Sequence, residues 1–524
     1  MMQPKSDSPP LRHEYHYGRV IRCDPDRPAN LAASLCAAVE RAPDREALVD
    51  GERRMTYGEL GAAVDGAASA IAGMGVKPGD RVALLLGNRL ETVVLLYACA
   101  VAGAIAVPMN LRQSAHETGF ALNESGVRLL FHERDASLPD FAATPELARA
   151  IEVADDIALP RAEPRIFGPV QEEAPFAILF TSGTTGKPKG AVLTHFNVAH
   201  SIMHFRRHYA LREGERTLLA VPASHVTGLV ALIAVTVDVA GCLVIMRQFQ
   251  ARAFLDIAAA EAIGYTLLVP AMYVLVLMNP AFDPVRLANW RVGGFGGAPM
   301  PPSAVADLAA SLPGLTLHNT YGATETTSPA VIMPGDGAAA RCTQVGRPVA
   351  CCDLLIVDEE GRECASGATG EIWIAGPMVI PGYWNNADAN AKEFAGGYWK
   401  SGDIGSVDDE GFVTLHDRKK DMINRGGFKI YSAEVENILC SDERVIEAAV
   451  VGRPCPVLGE RVEAFIHADD HAIAEELQTL CAARLSDYKV PERFHFEAQP
   501  LPRNANGKIM KAALRARLDQ QADR

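Results

Sequence analysis

Paired cysteines, basic surplus, repeats and long uninterrupted apolar runs are all missing from this chain. Its eleven cysteines are odd in number, form no CxxC pair, and include one adjacent pair, Cys351 and Cys352. That pattern suggests neither a zinc ribbon nor a disulfide framework, so a reducing cytoplasm is the expected compartment. Basic residues are the scarcer sign, 50 Lys and Arg against 64 Asp and Glu, for a formal charge of -14. A polyanion meets net repulsion, and nucleic acid is not an expected partner. Residues 1–30 contain no apolar stretch of the kind an export signal needs. The longest apolar run, Val226 to Met246, is interrupted by Asp238, two glycines and two threonines. A mid-bilayer carboxylate is costly, so a buried helix followed by a strand is expected there, with no transmembrane segment. No fixed-period repeat is visible, which sets solenoids aside.

With 48% hydrophobic and 22% charged residues, the 524-residue chain can bury a sizeable core. At roughly 150 residues per domain it amounts to about three or four domain equivalents. Strand-like runs alternate with helical patterns: Arg81 to Leu85 then Glu91 to Val101, Phe176 to Phe180 then His195 to Tyr209, Gly241 to Met246 then Ala253 to Ala262. Such alternation argues for α/β layers with parallel strands. Near residue 340 the texture changes to shorter strands with acidic turns ending in glycine, Asp358 to Gly361 and Asp408 to Gly411, which read as antiparallel hairpins. A second change falls at the charged stretch Asp417-Arg-Lys-Lys-Asp421. Beyond it, helices near Ala433 to Leu439, Ile473 to Leu485 and Lys511 to Leu518 suffice for one small α+β domain. The expected organisation is α/β: a large N-terminal domain of layered subdomains with a β-rich part over 1–419, and a small C-terminal domain over 420–524.

The most informative segment is Ile178-Leu-Phe-Thr-Ser-Gly-Thr-Thr-Gly-Lys-Pro-Lys-Gly190, an apolar strand running into hydroxyls, glycines and two lysines. Glycines let backbone amides approach an anion, hydroxyls donate hydrogen bonds, and lysine supplies positive charge, a combination suited to polyphosphate. It is not a Walker A loop, because two residues rather than four separate Gly183 from Gly186 and Pro188 follows Lys187. The bland alternative is a surface turn.

Thr181 to Gly190 resembles the signature of the adenylate-forming superfamily, which includes acyl- and aryl-CoA synthetases, peptide-synthetase adenylation domains and beetle luciferases. The resemblance extends from Met55-Thr-Tyr-Gly-Glu-Leu60 nearly to the C-terminus. It implies that ATP is bound by Thr181, Ser182, Gly183, Thr184, Thr185, Gly186, Lys187 and Lys189. Asn319-Thr-Tyr-Gly-Ala-Thr-Glu-Thr326 is similar to the second nucleotide motif. Thr324 would then bond the α-phosphate, Glu325 hold Mg²⁺, and Tyr321 stack on adenine. Gly293-Gly-Phe-Gly-Gly-Ala-Pro299 resembles the segment lining adenine and the acyl pocket, through Phe295, Gly296, Gly297 and Ala298. Asp403, in Tyr398-Trp-Lys-Ser-Gly-Asp403, and Arg418 match the ribose contacts, and Lys420 matches the hinge. Where Asp417 stands, the family often has glycine. Pro502-Arg-Asn-Ala-Asn-Gly-Lys508 resembles the loop carrying the catalytic lysine, here Lys508.

His225, in Pro222-Ala-Ser-His-Val-Thr-Gly228, matches the residue gating the carboxylate pocket, with Val226 and Gly228 beside it. Peptide-synthetase domains carry an aspartate near here, which this chain lacks, so amino-acid activation is disfavoured. Acetyl-specific relatives place tryptophan where Gly322 stands, so a deeper pocket for a medium or long acyl chain or an aromatic acid is expected. The loop Asn424 to Lys429, with Gly426, Gly427, Phe428 and Lys429, matches the face presented to coenzyme A in the second half-reaction. The reading is an AMP-forming acyl-CoA ligase using ATP, Mg²⁺, coenzyme A and a small carboxylic acid. Two alternatives stand beside it: an acyl-AMP ligase that loads a carrier protein, and a non-catalytic nucleotide-binding scaffold. Homodimerisation is left open, and Lys508 sits in a Pro-x4-Gly-Lys pattern that acetyltransferases modify in relatives.

Overall fold

The computed structural model describes residues 11–155, 159–181, 188–335, 337–426, 428–468, 472–503 and 509–522. The chain divides into two compact units. The first runs to Leu354 and adds Ile374–Lys400 and Gly411–Val413; the second takes Leu355–Trp373, Ser401–Glu410 and everything from Thr414. Segments between Leu355 and Val413 alternate along the chain between the two units. Strands Asp353–Val357, Gly370–Ala375 and Tyr398–Val407 each pass from one unit to the other along their length.

The first unit holds two large sheets. One has six strands in the order Lys189–Thr194, Pro175–Thr181, Ile105–Met109, Arg81–Leu85, Val127–Glu133, Arg149–Val153. The other has nine: Arg347–Pro348, Val331–Ile332, Thr316–Tyr321, Val292–Gly296, Tyr265–Leu268, Arg216–Leu219, Cys242–Ile245, Glu46–Asp50, Arg53–Thr56. From Thr316–Tyr321 to Glu46–Asp50 every neighbouring pair is parallel. Parallel strands are covered on both faces and so form apolar runs, as in Val82-Ala-Leu-Leu85 and Cys242-Leu-Val-Ile245. The helices between them begin where side chains take up free backbone amides: Thr56 with Glu59 ahead of Tyr57–Gly73, and Thr194 with Asn197 ahead of His195–His208, both reciprocal capping boxes.

Two segments differ from the sequence expectation. Lys189–Thr194 is a strand antiparallel to Pro175–Thr181, an element between the strand at Phe176 to Phe180 and the helix at His195 that the sequence reading does not include. Val226 to Met246 does fold as a buried helix followed by a strand, but the helix is a π-helix over Thr227–Ala234, continued as α over Val235–Asp238, before the strand Cys242–Ile245. Among the described residues no helix is long and apolar enough to cross a membrane.

In the second unit the sheet order is Phe428–Ile430, Ile423–Arg425, Gly459–Ala468, Val445–Cys455, with Arg493–Glu497 parallel to Gly459–Ala468. Alternation along the two long strands separates two cores. Ala448, Val450, Ala464 and Ile466 face helices Ser432–Leu439 and Ala474–Arg484, while Ala449, Val451 and Phe465 pack on Leu514 and Leu518 of Lys511–Ala522. Both acidic turns close with glycine at positive φ, Gly361 at +80° and Gly411 at +80°.

Candidate active site

In an open parallel sheet ligands gather beyond the carboxyl ends of the strands, where connections that leave neighbouring strands toward opposite faces open a crevice. Three strands within a run of four in the nine-stranded sheet end on the residues singled out from the sequence. Arg216–Leu219 leads within six residues to His225, Val292–Gly296 to Gly297 and Ala298, and Thr316–Tyr321 to Gly322, Thr324 and Glu325; Tyr265–Leu268 lies between the first two. Gly296 is register partner to Thr320, so the second and third of these ends are side by side. A Cβ on Gly296 would sit 2.3 Å from the Thr320 carbonyl oxygen, and Gly297 has φ +80°, so both positions require glycine. Phe295 is buried with its ring 6.5 Å from that of Tyr273.

His225 is half-buried at the turn into the π-helix. Its Nδ1 accepts from the Thr227 backbone N–H at 3.3 Å and lies 3.1 Å from the Thr227 hydroxyl. With Nδ1 accepting, the neutral ring carries its proton on Nε2. Val226 is buried, and Gly228 packs so tightly that a Cβ would stand 2.2 Å from the Pro222 carbonyl oxygen. The π-turn is the local device that brings this tight corner about, a feature frequent at functional sites.

Glu325 belongs to a short 3₁₀ turn, Thr324–Thr326, and is 8% exposed. Its Oε1 lies 2.9 Å from the Tyr383 hydroxyl, which also lies 2.6 Å from Oε2 of Glu393. Oε1 of Glu393 is 2.5 Å from Nζ of Lys189, and that ammonium stands 4.4 Å from the centre of the Tyr383 ring. Burial pushes the Glu325 carboxyl upward, with the Tyr383 phenol and the Lys189 charge opposing it. Among the described residues, two carboxyl groups stand against one ammonium in this cluster. A hard, oxygen-seeking cation such as Mg²⁺ fits carboxylate oxygens, and Glu325 would hold it. Lys189, read from the sequence as a nucleotide contact, has its ammonium engaged by Glu393. Thr181 ends its strand with Oγ1 3.4 Å from the Lys189 carbonyl oxygen. Tyr383 and Glu393 were not legible as site residues; the only hint is a Gly-Tyr-Trp-Asn turn ahead of a helix that ends on an acid.

Another group of potential metal ligands, Glu14, His16 and Cys23, lies with its donor atoms within 4.8 Å of one another. Arg27 already donates to both oxygens of Glu14, at 3.0 and 2.6 Å, so a guanidinium occupies the place of a cation and the group anchors the hairpin Arg12–His16 and Arg19–Cys23.

In the second unit, Asp403 and Arg418 form an ion pair at 2.7 Å. Lys420 is exposed, and Asp421 beside it pairs with Arg515 at 2.9 Å. Asp417 accepts from the Ser432 hydroxyl at 2.8 Å and so ties the strand Val413–Arg418 to the start of Ser432–Leu439, a role open to aspartate but not to glycine. Gly426 has φ +61°, Phe428 is exposed and stacks on Tyr488 at 4.4 Å, and Lys429 pairs with Glu359. Ser182, Gly183, Thr184, Thr185, Gly186, Lys187, Gly427 and Lys508 lie outside the described residues.

Residues 35–384 match the family model "AMP-binding enzyme", and residues 434–508 match "AMP-binding enzyme C-terminal domain". The chain belongs to the AMP-binding enzyme family. It is 34% identical over 485 residues to a feruloyl-CoA synthase of Amycolatopsis sp, covering 91% of this chain and 96% of that one. It is 31% identical over 471 residues to the long-chain-fatty-acid–CoA ligase FadD13 of Mycobacterium tuberculosis, covering 88% and 93%. Its fold matches the O-succinylbenzoate coenzyme A synthetase of Bacillus subtilis solved with ATP and magnesium ion, with a TM-score of 0.84, 31% identity, and coverage of 92% and 98%. As an AMP-binding enzyme of this type, the chain is an AMP-forming acid–thiol ligase that works through an acyl-AMP intermediate.

Proposed function

We propose that the chain joins a carboxylic acid larger than acetate, aromatic or of medium to long chain, to coenzyme A. The observation that carries this reading is the convergence of His225, the glycines at 296 and 297, and the Tyr321 to Glu325 turn at neighbouring strand ends of one sheet. Relatives that act on feruloyl and long-chain acids support an acid of this size.

A carboxylic acid with pKa about 4 to 5 is ionised at neutral pH, so the first step needs no general base. The obstacle is electrostatic, since that anion must approach the α-phosphate of ATP. We assign Thr324 to the α-phosphate, Tyr321 to adenine, and Asp403 with Arg418 to the ribose. Mg²⁺ held by Glu325 would supply charge neutralisation on the phosphates. Lys508 is the cation assigned to the charge developing in the transition state. Two unit charges 4 Å apart interact by about 1 kcal/mol in water and about 4 kcal/mol at an effective dielectric of 20, so the lysine acts well only where water is excluded. In the second half-reaction the acyl group passes to a thiol, of which about 3% is thiolate at pH 7. Gly426, Phe428 and Lys429 are assigned to the coenzyme A side.

All eleven cysteines are free. The deciding experiment is a panel of carboxylates supplied with ATP, Mg²⁺ and coenzyme A and read by AMP formation. Acid-dependent AMP together with an acyl-CoA product is expected. AMP formed without consumption of coenzyme A would move the acceptor to a carrier protein, and ATP binding with no acid-dependent AMP would leave only a nucleotide-binding scaffold.

A further inference from the structure

Lys189, Glu393, Tyr383 and Glu325 form one connected chain of contacts, in which Glu393 lies 204 residues from Lys189 and Tyr383 lies 58 residues from Glu325. Each middle member is held at both sides. Glu393 uses one carboxylate oxygen for the Lys189 ammonium and the other for the Tyr383 hydroxyl. Tyr383 is held by its ring over the same ammonium and by its hydroxyl between two carboxyl groups. A phenol has one proton, so it cannot donate to both acids at once, and its contact to Glu393 is the shorter.

The backbone around Tyr383 is fixed as well. Tyr383 N–H donates to Oδ1 of Asn390 at 2.7 Å, and the Asn390 amide returns a bond to the Tyr383 carbonyl at 3.1 Å. Trp384 N–H donates to the Gly190 carbonyl at 2.7 Å, and Val192 N–H to the Gly382 carbonyl at 3.1 Å. Gly382 to Trp384 is thereby laced to the strand that carries Lys189. Drawing the ammonium away to a phosphate would take from Glu393 the cation with which it pairs at 2.5 Å. The lysine is better placed to act through Glu393 than on the nucleotide.

We propose that Glu393 is a positioning residue: by gripping Lys189 with one oxygen and Tyr383 with the other, it sets the orientation in which Glu325 meets the metal–nucleotide complex. The Tyr383 hydroxyl lies 2.9 Å from Oε1 of Glu325, and when its proton turns from Glu393 to that oxygen, Oε2 is the oxygen left to the cation. Groups behind a metal ligand that fix its orientation commonly change metal affinity by about 10- to 100-fold when removed. The inference rests on the assignment of Glu325 to the metal.

The test compares binding of ATP with Mn²⁺ and without metal, in EDTA, to the full chain and to Glu393→Gln, Tyr383→Phe and the double variant, with no acid present so that no turnover occurs. The wild type is expected to prefer the metal complex. Each single variant should weaken binding of the metal complex by about tenfold or more while metal-free ATP binds as before. The double variant should be no weaker than the worse single, because the two residues act as one unit. Equal weakening with and without metal would reduce Glu393 to a structural prop, and unchanged metal preference in folded variants, verified by thermal unfolding, would overturn the proposal. Tyr383→Phe keeps its ring over Lys189, so it decides the matter alone if Glu393→Gln does not fold. A wild type that binds ATP equally with and without Mn²⁺ would instead remove Glu325 from the metal, and this inference with it.

Discussion

Nε of Arg418 lies 2.7 Å from Oδ1 of Asp403, one partner exposed and the other 6% exposed. The two residues matched to the ribose are therefore partners before any nucleotide arrives. Asp403 is further fixed by its backbone N–H on the Ser401 hydroxyl at 3.0 Å, which itself donates to the Ile372 carbonyl at 2.6 Å. A carboxylate can accept several hydrogen bonds through its two oxygens, the property that a contact to two ribose hydroxyls needs.

Asp403→Asn keeps the shape and removes the charge. Hydrogen bonds to a charged group contribute about 1.5 to 3 kcal/mol, which corresponds to a rise of about 10- to 100-fold in KM for ATP, with a smaller effect on kcat. Arg418→Ala should also lower the melting temperature, because it leaves a buried carboxylate unpaired. Initial rates against ATP concentration measure the first, and an unchanged KM in Asp403→Asn would dismiss the ribose role.

Lys508→Ala is expected to abolish adenylation nearly completely while sparing thioester formation from supplied acyl-AMP, since the lysine is assigned to the first half-reaction only. Acetylation of Lys508 would have the same effect by cancelling its charge. Separate assays of pyrophosphate release and of acyl-CoA from acyl-AMP distinguish the halves; equal loss in both contradicts the assignment.

Much of the scaffold can be read from the chain because its period is local. Val82 to Leu85 is an apolar run, and Ser432–Leu439, Ala474–Arg484 and Lys511–Ala522 fall on the helical patterns near Ala433 to Leu439, Ile473 to Leu485 and Lys511 to Leu518. Thr227–Ala234 is apolar on every side, so nothing in its pattern distinguishes a π-helix from an α-helix. Lys189–Thr194 follows a glycine-rich loop without its own alternation, because all six of its residues are buried. The Glu393, Tyr383 and Lys189 arrangement joins segments about 200 residues apart, and single residues that meet only through tertiary packing leave no spacing to detect.

Two buried histidines set a pH limit on stability. His195 and His200 are 1% and 0% exposed, and burial pushes their imidazoles down to about 4 and about 3. Both accept backbone N–H groups, His195 from Leu31 and His200 from Asp24, each at 3.3 Å, which requires an unprotonated nitrogen. In the unfolded chain a histidine titrates near 6.5. Above that pH neither state binds the proton; below it the unfolded chain takes protons the native state refuses, so stability is lost as pH falls from about 6.5 toward 4. At pH 5 each histidine costs about 2 kcal/mol. Melting temperature should be level from pH 8 to 7 and fall by pH 5, and the double variant His195→Asn, His200→Gln should show a flatter fall from a lower start. Parallel curves would take these two residues out of the acid response.

Gly322→Trp is the variant that tests pocket depth, because acetyl-specific relatives carry tryptophan at this position and a short-acid preference is the expected consequence. The structure adds a second effect. A Cβ on Gly322 stands 3.0 Å from the Thr326 hydroxyl, 3.2 Å from the Ala330 nitrogen and 3.3 Å from the Pro329 Cα. That hydroxyl is committed, accepting from Ala323 N–H at 2.9 Å and lying 3.1 Å from the Ala323 carbonyl oxygen. Any side chain must therefore press on the turn that carries Thr324 and Glu325, at about 1 to 3 kcal/mol for overpacking. Gly322→Ala should raise KM for Mg·ATP with the acid preference unchanged, whereas Gly322→Trp should raise it and also shift preference toward short acids. Measured over a series of straight-chain acids, an unaltered profile in the tryptophan variant would place Gly322 away from the pocket floor, and an unaltered KM in the alanine variant would show that the turn yields without cost.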